Sequence, residues 1–310
     1  MLKIIFMGTP EFAVPSLRML VEEGYEVVAV VTQPDKPKGR GKKLAAPPVK
    51  EFAQQHNIQV LQPERIKTDA FIEEIRALSP DLLVTAAYGK IISKALLDVP
   101  RLGCINVHGS LLPKLRGAAP IQWSIINGDT VTGITTMFTD VGIDTGDMLL
   151  KREIEITPDM TGGELHDRLA ELGAIVLSDT LKALVAGTLE RIPQDDSQHT
   201  YAPMFTKEIG LIDWNKSAQD IHNLVRGTDP WPGAYTFIDG ERMRVWRTKP
   251  VLEDKNGQIG EILSVDNDGL LIKCGVGCIK VLQLQFDSSK RMSVSDYLRG
   301  HTIEQGAVLK

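Results

Sequence analysis

The chain has 310 residues, 43% of them hydrophobic, and three cysteines; it can bury one large or two ordinary cores without disulfide staples, and few thiols fit a reducing compartment. Its net charge of −5 argues weakly against nucleic acid for the chain as a whole, although local patches can reverse that. No apolar run approaches the roughly 20 residues of a membrane span, and the opening MLKIIFMGTPEF breaks at Gly8 without the length or cleavage site of a signal peptide, so a soluble cytoplasmic protein with no membrane partner is expected.

The first half alternates strand and helix signals. KIIFMG (3–8) is a short apolar run. VPSLRMLVEEG (14–24) reads as a helix closed by glycine, and EVVAVVTQ (26–33) as a β-branched strand. After a basic stretch come helix (49–57), strand (58–63), helix (69–79), strand (81–89) and a short helix (93–99). GCINVH (103–108) is a strand, APIQWSIING (119–128) a helix, and TGITTMFT and LLKREIEI (132–139, 149–156) two more strands. Residues 161–187 form a long helix or a broken pair. Such alternation predicts an α/β, Rossmann-like, mostly parallel sheet with helices on both faces, whose ligands bind beyond the carboxyl ends of the strands.

The pattern changes after residue 187. Residues 188–208 lack a period and read as a linker. A helix over 217–227 precedes short strands separated by the turn signals EDKNGQ, DNDG and GVG, which predict a small C-terminal β-barrel, OB-like, over 209–310. That segment carries 13 basic and 13 acidic residues and is neutral.

Asn106 and His108 interrupt an apolar strand. Residues two apart point the same way, so both side chains share one face near the strand's carboxyl end. A carboxamide and an imidazole placed together suit a carbonyl that becomes a tetrahedral oxyanion. FTDVGIDTGDM (138–148) offers Asp140, Asp144 and Asp147 as a third group; adjacent parallel strands would bring this loop near His108, and the pattern does not choose among the three. In the intervening SLLP (110–113), two apolar leucines fit either packing beneath the next helix or a lip for a flat apolar ligand.

Charge is concentrated in PDKPKGRGKKLAAPPVK (34–50), where Lys36, Lys38, Arg40, Lys42, Lys43 and Lys50 face only Asp35 in an otherwise acidic chain. That asymmetry calls for an anionic partner. GTPEFA lacks a full G-x-G-x-x-G, so neither NAD nor NADP is expected. Cys274 and Cys278 have no second pair, so no metal is expected. Trp214, Trp231, Trp246 and Tyr235 are core or base-stacking candidates.

FMGTPEFAVPSL, the basic stretch, AAYGKII, LGCINVHGSLLPKLRGAAPIQW, DVGIDTGDML, IDWNKSA and DPWPGAY, in this order, resemble the methionyl-tRNA formyltransferase family. INVHGSLLP alone marks the wider group using 10-formyltetrahydrofolate. The resemblance implies a catalytic domain over 1–187 that binds this formyl donor, a linker over 188–208, and a tRNA-contacting domain over 209–310. Formyl transfer to the α-amino group of methionyl initiator tRNA, for translation initiation, is implied. The catalytic set falls on Asn106, His108 and Asp144, and the folate segment on Ser110, Leu111, Leu112 and Pro113. Lys36, Lys38, Arg40, Lys42 and Lys43, in the basic stretch, fall to the acceptor stem, while Lys207, in the linker, is read from the residues alone as a tRNA phosphate contact. A sibling enzyme that formylates a small amine or hydrolyses the donor is the alternative.

Overall fold

A computed structural model describes residues 2–38, 43–251, 253–287 and 289–310. Arg40 and Lys42 lie outside the described residues, as do the side chains of Lys38 and Lys43. The chain packs as two compact units. One comprises Met1–Pro120, Val131–Glu155 and His166–Pro203; the other comprises Ile121–Thr130, Ile156–Leu165 and Met204–Lys310.

The first unit holds a 7-stranded sheet in the order Met148–Glu155, Val131–Phe138, Cys104–His108, Leu82–Ala86, Lys3–Gly8, Glu26–Val31, Val60–Leu61. Strands from Cys104–His108 through Val60–Leu61 pair in parallel. Ile4, Ile5, Phe6, Leu82, Leu83 and Val84 are wholly buried, which is why these strands read as unbroken apolar runs instead of alternating ones. The helix Asp69–Ala77 is capped by Thr68, whose hydroxyl accepts from the Phe71 N–H. Residues 161–187 yield one continuous helix, Gly162–Ala186. It approaches the sheet closely at Gly173, where a Cβ would lie 3.0 Å from Val107 Cγ1.

Val131–Phe138 departs from the expected parallel arrangement. It runs antiparallel to Cys104–His108, and Met148–Glu155 runs antiparallel to it in turn. A parallel return needs a crossover segment laid across the sheet. Residues 121–130 instead pack with the second unit, so no such crossover forms. Residues 188–203 are also more ordered than a linker. Tyr201–Ala202 pairs with Arg116–Gly117, and Ile192 bridges Met148.

In the second unit, the strands Ala234–Ile238, Glu241–Val251, Cys278–Phe286, Gly269–Lys273 and Ile262–Asp266 form an antiparallel sheet in that order. Among the described residues its outer strands do not pair, so the strands do not close the expected barrel. The last residues reach both edges instead. Leu309 N–H donates to the Gly260 carbonyl at 2.9 Å, and Phe237 and Lys310 exchange backbone bonds of 2.9 and 3.0 Å. Trp214, Cys274 and Cys278 are buried, whereas Trp231 is 52% exposed. Trp214 donates to Thr236 Oγ1 at 3.0 Å, the partner a buried indole N–H requires.

The helix Ala218–Gly227, capped by Ser217, carries the buried His222. Its ring nitrogens meet Thr248 Oγ1 at 2.9 Å and the Pro158 carbonyl at 3.1 Å. Burial, aided by the nearby Arg226 cation, lowers its pKa against the opposing pulls of the Pro158 carbonyl and Asp159. The unfolded chain therefore takes up this proton more readily than the native one. The group's contribution to stability is complete above the unfolded value of about 6.5 and is lost as pH falls toward the native value. Urea midpoints measured from about pH 7.5 down to about 5 are expected to fall less steeply for His222→Gln than for the wild type. Equal slopes would contradict this assignment.

Candidate active site

The site begins on Cys104–His108. Ile105 and Val107 are buried on one face, and Val107 meets the long helix at Gly173. Asn106 and His108 therefore take the other face. Asn106 lies in register with Thr85 of the neighbouring parallel strand. Thr85 Oγ1 donates to Asn106 Oδ1 at 2.8 Å. With the amide oxygen occupied, the nitrogen is the end of Asn106 that can donate onward.

His108 is 5% exposed. Its Nε2 lies 3.0 Å from the Leu115 carbonyl oxygen. A carbonyl only accepts, so Nε2 carries the hydrogen. Nδ1 faces Asp144 Oδ2 at 3.6 Å. The same Oδ2 accepts from the Gly117 N–H at 2.8 Å.

The three loop carboxylates have separate tasks. Asp140 accepts from the Gly142 N–H at 3.0 Å and from Thr145 Oγ1 at 2.6 Å, shaping its own turn. Asp147 accepts from Arg191 Nε at 2.9 Å. Asp144 stands beside the imidazole, but by a different route from the one expected. Since Val131–Phe138 is antiparallel, the loop is rooted at the start of the Cys104–His108 strand, where Thr139 N–H donates to the Cys104 carbonyl at 2.7 Å. It folds back to reach the strand's far end.

Ser110–Pro113 divides between interior and surface. Ser110 and Leu112 are buried, Leu112 beside Met137 and Met148, while Leu111 and Pro113 are half-buried. Thr135, opposite His108 in the antiparallel pair, donates to the Ser110 carbonyl at 2.7 Å and accepts from the Leu112 N–H at 3.1 Å. Lys151 donates to the Leu112 carbonyl, and partial burial lowers its pKa. Thr85 and Thr135 escape a reading of motifs. Their signal is a hydroxyl at the register position directly paired with a polar site residue on the neighbouring strand.

Within the basic stretch, Lys36–Lys38 and Lys43–Ala45 pair antiparallel. Lys36 donates to Gln33 Oε1 at 2.9 Å. Lys50 is engaged at the base, 2.8 Å from both Asp35 oxygens, and Gln62 donates to the same carboxylate at 2.7 Å. The Gln62 hydrogen bond and Lys50 hold the Asp35 pKa below the usual carboxylate range. Lys207 is exposed and opens the short helix Lys207–Gly210 of the second unit.

An oriented amide donor beside an imidazole–carboxylate pair can stabilise an oxyanion and accept a proton, which is what acyl transfer to an amine demands. Residues 2–181 match the family described as formyl transferase, and residues 204–302 its C-terminal domain. The chain is 70% identical over 311 residues to the methionyl-tRNA formyltransferase of Ruminiclostridium cellulolyticum, covering 99% of each chain. It is 63% identical over 310 residues to that of Acetivibrio thermocellus, again covering 99% of each. Among solved structures it resembles WlaRD, a sugar 3N-formyl transferase solved in the presence of dTDP and 5-N-formyl-THF, with a TM-score of 0.68 at 18% identity over 94% of this chain and 99% of that one; at that identity the likeness speaks to the fold. With both domains matched in order and near full-length identity to its relatives, the chain belongs to the formyl transferase family.

Proposed function

We propose that this chain transfers the formyl group of 10-formyltetrahydrofolate to the α-amino group of methionyl initiator tRNA. The observation that carries the reading is the 70% identity across 99% of a methionyl-tRNA formyltransferase. The convergence of His108 and Asp144 beside Asn106 supports it chemically.

A free α-amino group has a pKa of about 7.7–8.0, so a useful fraction is neutral and nucleophilic near neutrality. As the amine adds to the formyl carbon, negative charge develops on the formyl oxygen. Asn106 Nδ2 is the donor we assign to it, because Thr85 holds the amide oxygen. The attacking nitrogen becomes cationic and must lose a proton. Asp144, backed by Nδ1 of His108, receives it directly or through water. Collapse of the adduct breaks the bond between the formyl carbon and N10 of the donor, which leaves as tetrahydrofolate with a proton on that nitrogen. Nε2 of His108 is committed to the Leu115 carbonyl. The imidazole therefore acts as partner to Asp144 in this arrangement, and service as a second oxyanion donor would require it to leave Leu115. Leu111 and Pro113, the half-buried members of the segment after the strand, offer apolar surface to the folate. Lys36, Lys38, Arg40, Lys42, Lys43 and Lys207 are assigned to RNA phosphates. The paired strands Lys36–Lys38 and Lys43–Ala45, anchored through Asp35, support that assignment.

Formylation in vitro tests the substrate. Methionyl initiator tRNA is expected to be formylated, and a misacylated tRNA and a small amine sugar much less; preference for the sugar would favour the sibling reading. Asn106→Ala is expected to lower kcat about 10²–10³-fold with little change in folate affinity. Near-normal turnover would remove Asn106 from the oxyanion role. Replacing Arg40, Lys42 and Lys43 together by Ala is expected to weaken tRNA binding about tenfold or more, flatten its salt dependence and leave folate binding unchanged. Unaltered tRNA affinity at low salt would overturn that assignment.

A further inference from the structure

The sheet does not deliver Asp144 to His108, so something else must. The loop over 139–147 is rooted at the opposite end of the strand. Asp144 itself sits at φ 54°, in the left-handed region that a residue with a side chain seldom occupies unless held there. The grip comes from Gln194, within a segment whose sequence reads as linker. Its Nε2 donates to the carbonyls of Asp144 and Gly146, each at 2.8 Å. Its Oε1 accepts from Arg116 Nε at 3.0 Å and Nη2 at 2.8 Å.

Arg116 is 2% exposed, and its Nη2 also donates to Asp196 at 2.7 Å. A guanidinium has only donors. The amide oxygen of Gln194 must therefore face Arg116, and the amide nitrogen must face the loop. The next residue, Gly117, donates to the Asp144 carboxylate. Thr200, six residues beyond Gln194, accepts from the N–H groups of Leu115 and Arg116, both at 2.9 Å, and Leu115 carries the carbonyl that fixes His108. One strap thus holds both members of the imidazole–carboxylate pair.

We propose that Gln194, oriented by Arg116, is the positioning residue that keeps the Asp144 carboxylate on His108 for formyl transfer. The inference rests on the reading above that Asp144 takes part in the reaction. The side-chain amide of Gln194 is taken up by Arg116 and by the Asp144 and Gly146 carbonyls, so its effect reaches the chemistry through Asp144.

The test compares Gln194→Glu and Gln194→Ala with Asp144→Ala, using formyl transfer to methionyl-tRNA by the full chain. Gln194→Glu keeps the side-chain length and gives Arg116 a better acceptor, so the strap stays folded. Its second oxygen now confronts two carbonyls that need a donor. The expected result is a fall in kcat of about 10–100-fold, as for a reacting group displaced by an ångström. KM for both substrates is expected to stay within about threefold, and the thermal midpoint to be unchanged. In single-turnover rates, Gln194→Glu is expected to add little in the Asp144→Ala background, because both changes remove one contribution. Wild-type kcat in Gln194→Glu and Gln194→Ala, or a loss shared between kcat, KM and thermal midpoint, would overturn the proposal. Full additivity with Asp144→Ala would do the same. Wild-type kcat in Asp144→Ala would instead sink the reading on which it rests.

Discussion

The Asp144 carboxylate stands where the backbone N–H of Gly117 meets it, on a loop whose carbonyls Gln194 holds, and the candidate site depends on that joint constraint. The Gly117 bond needs the chain to pass very close to its neighbour. Gly117 lies at φ 114°, and a Cβ there would come within 2.7 Å of the Ala202 carbonyl oxygen. A side chain at this position would push apart the two-residue pairing of Arg116–Gly117 with Tyr201–Ala202. The carboxylate, the imidazole and the strap over 188–203 are therefore parts of one arrangement, although they lie far apart in sequence.

The opposite wall is set by simple strand alternation. Val107 faces the long helix, which meets it at a glycine, and Asn106 and His108 face away. Thr85, one strand over, then turns an ambiguous amide into a directed donor. The parallel register of Leu82–Ala86 with Cys104–His108 places hydroxyl and amide side by side, so the donor is in place before any substrate arrives.

How much of this was legible in the sequence differs by element. The buried parallel strands announce themselves as apolar runs, and the polar pair at 106 and 108 stands out against that background. The antiparallel turn of Val131–Phe138 was not legible, because strand direction depends on where residues 121–130 pack, and periodicity does not encode that. Residues alone left Asp140, Asp144 and Asp147 equivalent; family resemblance singled out Asp144, and the coordinates place it against His108. Gln194 and Thr200 were invisible for a related reason. They act through backbone carbonyls and N–H groups, which leave no mark in composition. In the second unit, turn signals marked the strands, but closure of the sheet edges falls to the last residues of the chain, Ala307–Lys310, which carry no strand pattern.

In the proposed reaction Asn106 Nδ2 is the donor that meets the formyl oxygen, and the Asp144 carboxylate takes the amine's proton. A crystal structure of the chain with a bound 5-formyl- or 10-formyl-folate analogue measures this directly. The formyl oxygen is expected within about 3.2 Å of Asn106 Nδ2, and the Asp144 carboxylate on the side from which an amine can approach. A formyl group bound beyond hydrogen-bond reach of Asn106, with the amide still turned to Thr85, would contradict that assignment.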